Sequence, residues 1–167
     1  MRFLIAAAPL LLLAACADEA PPVDKRASEA KQLAAGAYEV QAKVETMTAT
    51  DNGKPATKAK AGDMILLKGC VAADGTPDAS LFTEAGDTCT ATQQYARGAI
   101  LNIQYNCQRK GKSGSVNYSI DGQFTADAFT AKVTEGTSFS SDDDYQLLSG
   151  LTGKRIGICP APAPAKD

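Results

Sequence analysis

The five cysteines are the residues of this chain whose type and spacing most clearly indicate chemistry. Cys16 follows an apolar run from Phe3 to Leu13, which at 11 residues is shorter than the roughly 20 residues needed to span a bilayer. A positive charge precedes the run, and two small residues separate it from Cys16. We therefore predict a secretory signal peptide over residues 1–15 and attachment of lipid to the nucleophilic thiol of Cys16.

The segment Leu13-Ala14-Ala15-Cys16 resembles the bacterial lipobox, in which the cysteine receives a diacylglyceryl group and becomes the mature N-terminus. An ordinary signal peptide with a cysteine nearby is the alternative. In bacterial lipoproteins an Asp directly after the cysteine favours the inner membrane, and here that position is Ala17. The resemblance thus implies a lipid anchor in the outer membrane of a cell envelope, with the chain facing the periplasm.

The other four cysteines, Cys70, Cys89, Cys107 and Cys159, predict two disulfides, because an exported chain with an even count usually pairs them. A four-cysteine metal site would need close pairs such as Cys-x-x-Cys, and the sequence has none. Histidine is absent, which excludes Ser-His-Asp and Cys-His catalysis and most zinc sites. We expect no enzymatic activity, no cofactor and no metal.

Three other motifs favour solvated structure over a site. Gly111-Lys112-Ser113 lacks the earlier glycine and the following helix of a phosphate-binding loop, so we predict a hairpin turn. Asp142-Asp143-Asp144 lacks a glycine-spaced calcium loop, and Lys154-Arg155 lies near the end of a predicted strand. With a formal net charge of −2 and no basic cluster, nucleic acid is not an expected partner.

Alternation of apolar and polar residues predicts strands over most of the chain. In the first strand, Tyr38, Val40, Ala42 and Val44 share one face. The predicted strand segments are 38–44, 64–67 (taken as central in the sheet), 88–96, 99–108, 116–120, 129–133 and 145–158. These segments predict a mainly β fold, a single antiparallel meander of about seven strands in a curved sheet or partial barrel, with little helix. A β-sandwich is the second possibility.

The predicted domains follow from these patterns. Residues 16–35 form a flexible tether that begins at the lipidated cysteine and carries a candidate short helix over 28–35. Residues 36–159 form the β domain, and residues 160–167 form a disordered tail rich in proline and alanine.

The disulfide pairing is left open by the sequence. Pairs Cys70–Cys89 and Cys107–Cys159 are slightly favoured, because the first would close the loop over residues 72–87. The rival pairs Cys89 with Cys107 across a hairpin, which requires a three-residue loop over 97–99. A two-residue turn would place these two cysteines on opposite faces.

The order of motifs resembles a proteobacterial envelope family, the domain of unknown function 3617. The matching motifs are Gly36-Ala37-Tyr38-Glu39-Val40, Cys70, Gly86-Asp87-Thr88-Cys89, Gly98, Cys107 and Gly153 to Cys159. Tyr38 departs from the family, which usually has Trp there. The resemblance implies the β fold and an envelope location, and no activity.

Two functions are compatible with these patterns. The first is a non-catalytic structural or accessory protein that binds another envelope protein. The alternative is a carrier or sensor of a hydrophobic ligand in the concave face of the curved sheet. The alternative requires an apolar hollow of several hundred Å³.

Overall fold

The computed structural model of this chain describes residues 30–160, which form one antiparallel sheet of seven strands curled into a half-barrel. The strands are β1 (Gly36–Ala49), β2 (Met64–Val71), β3 (Asp87–Arg97), β4 (Ile100–Arg109), β5 (Gly114–Phe124), β6 (Ala128–Phe139) and β7 (Tyr145–Gly157). Their order across the sheet is β2-β1-β7-β6-β5-β4-β3. The only described helix is a 3-10 turn over Ala79–Leu81.

The predicted fold is confirmed, and the second possibility, a β-sandwich, is wrong because all seven strands belong to one sheet. The placement of β2 in the centre is also wrong, because β2 is an edge strand. Its apolar run suggested burial on both faces. Met64 and Leu66 are in fact 61% and 55% exposed, while Ile65 and Leu67 turn inward.

The core lies on the concave face of the sheet, where the alternation predicted it. The inward side chains include Val40 of β1, Ile103 of β4, Ile120 of β5 and Val133 of β6, all of which are buried. The sheet curves around this face, so side chains from strands that are not neighbours share one core.

The connection between β2 and β3, residues 72–86, crosses the concave face, and we call it the strap. It has to join opposite edges of the sheet. Its Leu81 and Phe82 are buried in the core, and the Phe82 ring lies 5.5 Å from the ring of Phe129. Gly69 of β2 allows this close passage, because a Cβ there would overlap Ser80 and Leu81.

The residues just before β1 also pack on the domain. The candidate short helix is wrong where the structure describes it, because residues 30–35 contain no helical turn. Leu33 is fully buried, and the Ala34 amide donates to the Ala126 carbonyl at 2.8 Å. The Tyr38 hydroxyl donates to the Ala34 carbonyl at 2.9 Å. These contacts also contradict a flexible tether over residues 30–35, because backbone and side chains there bind other segments of the domain.

Several predicted features lie outside the described residues. These are the signal peptide over 1–15, the lipidation site Cys16, the tether and candidate helix up to residue 29, and the tail over 161–167. Among residues 30–160, no helix is long and apolar enough to cross a membrane.

The four cysteines form two disulfides, as predicted, but the favoured pairing is wrong. Cys70 bonds to Cys159 with a Cα–Cα distance of 5.9 Å, and Cys89 bonds to Cys107 with a Cα–Cα distance of 4.0 Å. The rival pairing of Cys89 with Cys107 is thus the one that the structure contains.

A bulge explains the pair Cys89–Cys107. The hairpin has a two-residue turn, Gly98-Ala99, with φ of 57° and 65°, which sets Arg97 opposite Ile100. That register alone would not place the two cysteines opposite each other. Between Ala91 and Gln93 the register shifts by one residue, and beyond the shift Cys89 lies directly opposite Cys107.

The pair Cys70–Cys159 follows from the strand order. β1 lies between β2 and β7, with Ala37 paired to Cys70 on one side and to Gly157 on the other. The chain after Gly157 passes the first residues of β1 and reaches Cys70. The favoured pairing assumed that β2 and β3 are neighbours, whereas the strap separates them by the width of the sheet.

We expect digestion of the unreduced chain with trypsin and an endoproteinase that cleaves after Glu to link Cys70 to Cys159 and Cys89 to Cys107. Cleavage after Lys68, Glu84, Arg97, Arg109 and Arg155 puts each cysteine on its own peptide. Mass spectrometry then identifies the linked pairs. A peptide linking residues 69–84 to 85–97 would contradict the strand order described above.

Candidate functional site

The concave face is only partly filled by the strap, and the remainder is a cavity of about 630 Å³ that opens to solvent. Its walls come from five strands and the strap. β2 contributes Ile65 and Leu67, β7 contributes Leu147 and Leu151, β1 contributes Ala42, β5 contributes Tyr118, β6 contributes Val133 and Glu135, and the strap contributes residues 82–85. The loop residues 56–59 complete the mouth. Most of the lining surface is apolar, and a volume of this size is typical of small-ligand sites.

One end of the cavity is polar and is organised by Arg109, the last residue of β4. Its guanidinium donates hydrogen bonds to both oxygens of the Asp87 carboxylate, from Nε to Oδ1 at 2.8 Å and from Nη2 to Oδ2 at 2.7 Å. Asp87 and Arg109 are opposed residues of β3 and β4. The Cys89–Cys107 disulfide joins the same two strands covalently. Cys89 lies two residues after Asp87, and Cys107 lies two residues before Arg109, on the same face.

Two more carboxylates reach the same guanidinium. Arg109 Nη2 lies 3.1 Å from Glu135 Oε1 of β6 and 3.1 Å from Glu84 Oε2 of the strap. Two tyrosines complete the network: the Tyr118 hydroxyl donates to Asp87 Oδ2 at 2.7 Å, and the Tyr145 hydroxyl donates to Glu135 Oε1. One guanidinium thus faces three carboxylates.

Burial changes the proton affinity of this network. Burial, together with the negative charge of Glu84, raises the pKa of Glu135 to about 7. Burial also raises the pKa of Glu84, although Arg109 opposes that change. The pKa values of Tyr118 and Tyr145 are raised mainly by burial and then by the nearby Glu135, so both hydroxyls stay protonated and donate hydrogen bonds.

Sequence reasoning did not single out this network, although part of its signal was present. The inward alternation of β4 runs through Ile103, Tyr105 and Cys107, and its next member is Arg109. The inward alternation of β6 likewise reaches Glu135 after Ala131 and Val133. A charged residue at an inward position predicts a buried partner. The strap has no such period, so Glu84 could not be assigned in this way.

The motifs that the sequence suggested do not meet in a site. Lys112 lies in the turn between β4 and β5, as predicted, and pairs with Asp143. Asp144 accepts the Phe139 amide at 2.7 Å, so the acidic run supports its own loop. Arg155 donates to the Ala35 carbonyl at 2.9 Å. Within the described part of the chain, no cluster of acidic and cysteine residues has the arrangement of a metal site.

The fold and the site define a class of protein: an antiparallel half-barrel crossed by a strap, with an apolar cavity that ends in a buried Arg–carboxylate network. The chain belongs to the family described as "Protein of unknown function (DUF3617)", whose model matches residues 33–159. The match confirms the resemblance to the domain of unknown function 3617 and covers nearly all of the described domain. No curated protein and no solved structure matches the chain.

We expect Glu135→Gln to reduce the pH dependence of folding stability. Because folding raises the pKa of Glu135 to about 7, the folded state holds the proton more tightly than the unfolded state. Its contribution is therefore greatest at acidic pH and is lost as the pH rises through about 7, a decrease of about 2–3 kcal/mol between pH 5 and pH 8. Urea unfolding at pH 5, 6, 7 and 8 measures this slope.

The matched control is Glu45→Gln, which removes a carboxylate from the outer face, where Glu45 pairs with Lys132 at 3.2 Å. Some slope remains in Glu135→Gln, because the pKa of Glu84 is raised as well. Equal flattening by both variants would contradict the assignment of the slope to the buried network.

Proposed function

We propose that this chain is a lipid-anchored envelope protein that binds a small hydrophobic ligand in the concave face of its half-barrel. The observation that carries the proposal is the cavity of about 630 Å³ between the strap, β2 and β7. A closely packed concave face would have left no room for a ligand. The proposed role is non-catalytic.

The lining supports an apolar ligand rather than a polar one. Ile65, Leu67, Leu147 and Leu151 face the hollow from two strands, and Phe82 closes it from the strap. Burial of apolar ligand surface against such walls gains about 25 cal/mol per Å², so a ligand with a ten-carbon chain has enough area to bind. The walls are also largely preformed, since two disulfides hold the two strands that the strap connects.

A second candidate function, docking of another envelope protein, is favoured by the outer face of β2. Met64 and Leu66 are exposed there on an edge strand whose outer backbone groups are not paired with another described strand. Exposed strand edges are templates for strand addition by a partner. This candidate does not account for the hollow, so the ligand-binding role is preferred.

The location in this proposal depends on Cys16, which carries the lipid and leaves an even number of cysteines for the two disulfides. Two or more acyl chains hold a protein stably on a membrane, whereas one chain holds it marginally. The domain would then sit at the periplasmic face of the outer membrane, within reach of membrane-derived apolar molecules.

We expect binding of 1-decanol, a neutral probe, to the purified full chain, and a loss of at least tenfold in affinity in Ala42→Leu. Ala42 lines the cavity, so the added carbons of the leucine occupy ligand volume. Isothermal titration calorimetry measures the affinity, and native mass spectrometry of the untreated chain detects any ligand that copurifies.

The matched control is Ala91→Leu, the same substitution at an exposed position of β3. It is expected to bind the probe as the wild-type chain does. Absence of both probe binding and copurified ligand would overturn the ligand-binding proposal. Equal loss in both variants would show that the bound probe does not occupy the cavity.

We also expect cells that produce the full chain and are fed an alkyne-tagged fatty acid to label it, and the label to be absent from Cys16→Ser. Ala17→Asp is expected to keep the label and to move the protein from the outer to the inner membrane fraction, with Ala17→Ser as the unchanged control. Label that persists in Cys16→Ser would contradict lipidation at this residue.

A further inference from the structure

The polar end of the cavity carries an excess of negative charge. Asp87, Glu84 and Glu135 all contact Arg109, at 2.7, 3.1 and 3.1 Å from its Nη2 atom. Arg109 is the only cation in this network among the described residues. Two further charged side chains, Lys58 and Asp63, line the mouth, and both are exposed and of opposite sign. The cavity is therefore apolar along most of its wall, and its polar end has three carboxylates beside one cation.

The Oε2 atom of Glu135 is a candidate acceptor for a ligand. It is 3% exposed and lines the cavity. Its contacts with Arg109 and Tyr145 both use Oε1. In the part of the chain that the structure describes, no hydrogen bond or ion pair uses Oε2. An oxygen of a buried carboxylate at a cavity wall is a strong acceptor for a donor that enters the cavity.

Glu84 is the second carboxylate with remaining acceptor capacity. Its Oε2 pairs with Arg109, while Oε1 accepts, from residues 30–160, only a long hydrogen bond from the Thr57 hydroxyl at 3.4 Å. Glu84 is about one third exposed, so it is reached from the mouth of the cavity, whereas Glu135 is reached from within it. The two carboxylates have acceptor capacity on the side that the guanidinium does not use.

The guanidinium itself has little capacity for an anionic ligand. Nε and Nη2 donate to Asp87, and Nη1 donates to Tyr145. Nη2 also contacts oxygens of Tyr118, Glu135 and Glu84. A carboxylate or phosphate head group would have to compete with three resident carboxylates for it. Charge complementarity at this end favours a cation.

We propose that the ligand is a cationic amphiphile, a protonated amine on an apolar chain, with the ammonium between Glu84 and Glu135 and the chain along β2 and β7. This inference rests on the proposed function, because it specifies the ligand of the same cavity. An ammonium supplies a donor to Glu135 Oε2 and a second donor to Glu84 Oε1, and it reduces the excess negative charge beside Arg109.

The position of the ammonium couples binding to pH. Glu135 faces Arg109 of β4, Tyr145 of β7 and Tyr118 of β5, with Glu84 of the strap and Asp87 of β3 beside them. Burial raises the pKa of Glu135 to about 7, so it is largely protonated at pH 6 and largely ionised at pH 8. An ammonium pairs with the ionised form, and the affinity for an amine therefore rises over this interval.

The test compares three probes of equal chain length on the purified full chain: decylamine, 1-decanol and decanoic acid. Isothermal titration calorimetry at pH 8 is expected to give decylamine at least tenfold tighter binding than decanol, and decanoic acid the weakest binding. The preference for decylamine over decanol is expected to fall several-fold at pH 6, because Glu135 is then largely protonated.

Two variants test the carboxylates. Glu84→Gln, on the partly exposed strap, and Glu135→Gln, in the buried network, are each expected to reduce the preference for decylamine over decanol at pH 8 to within about threefold. Glu39→Gln, which pairs with Lys68 on the outer face, is the matched control and is expected to keep the full preference.

The outcomes separate this inference from the proposed function. If decanol binds and decylamine binds no more tightly, the amine inference is overturned and ligand binding stands. If none of the three probes binds, both are overturned. A preference for decylamine that survives in Glu84→Gln and in Glu135→Gln would place the ammonium elsewhere and overturn the assignment.

Discussion

The connection between β2 and β3 crosses the concave face of the sheet, and the other main features of the domain depend on that crossing. Because the two strands lie at opposite edges, the strap over residues 72–86 passes across the open side of the half-barrel. Burial of Leu81 and Phe82 contributes about 3–6 kcal/mol in total, which holds the strap against the sheet. A disulfide near each end, at Cys70 and at Cys89, limits how far either end moves from the sheet. The strap covers only part of the concave face, and the uncovered part is the cavity.

The second constraint is electrostatic and acts at the far end of the strap. Removing charges from water costs several kcal/mol for each ion, and good geometry is needed to offset that cost. Arg109 meets the requirement with a two-point contact to Asp87 and with neutral hydroxyl donors around the carboxylates. Glu84 joins the network from the strap, so an interaction that offsets the burial of Arg109 also fastens the strap to β4. The result is a cavity whose polar end holds three carboxylates beside one guanidinium.

Much of the fold was accessible from the sequence, and so was part of the site. The period of two along β1, β4 and β5 identified which side chains face inward, because successive residues of a strand point to opposite faces. Extending the same period one step would have identified Arg109 and Glu135 as buried charges. The cavity itself was not accessible. A hollow depends on the curvature of the sheet and on how far the strap extends across it, and neither quantity has a local signature.

By itself, the sequence determined the number of strands, their inward faces and the presence of two disulfides, because strand period and an even cysteine count are local properties. Only the tertiary structure decided which cysteines pair. The register shift between Ala91 and Gln93 brings Cys89 opposite Cys107, and the passage of the chain beyond β7 past the start of β1 brings Cys159 to Cys70. The same holds for the meeting of Glu84 with Arg109. Bulges, strand order and the path of a long connection are set by how the whole sheet curves and packs, and that curvature is a property of all seven strands together.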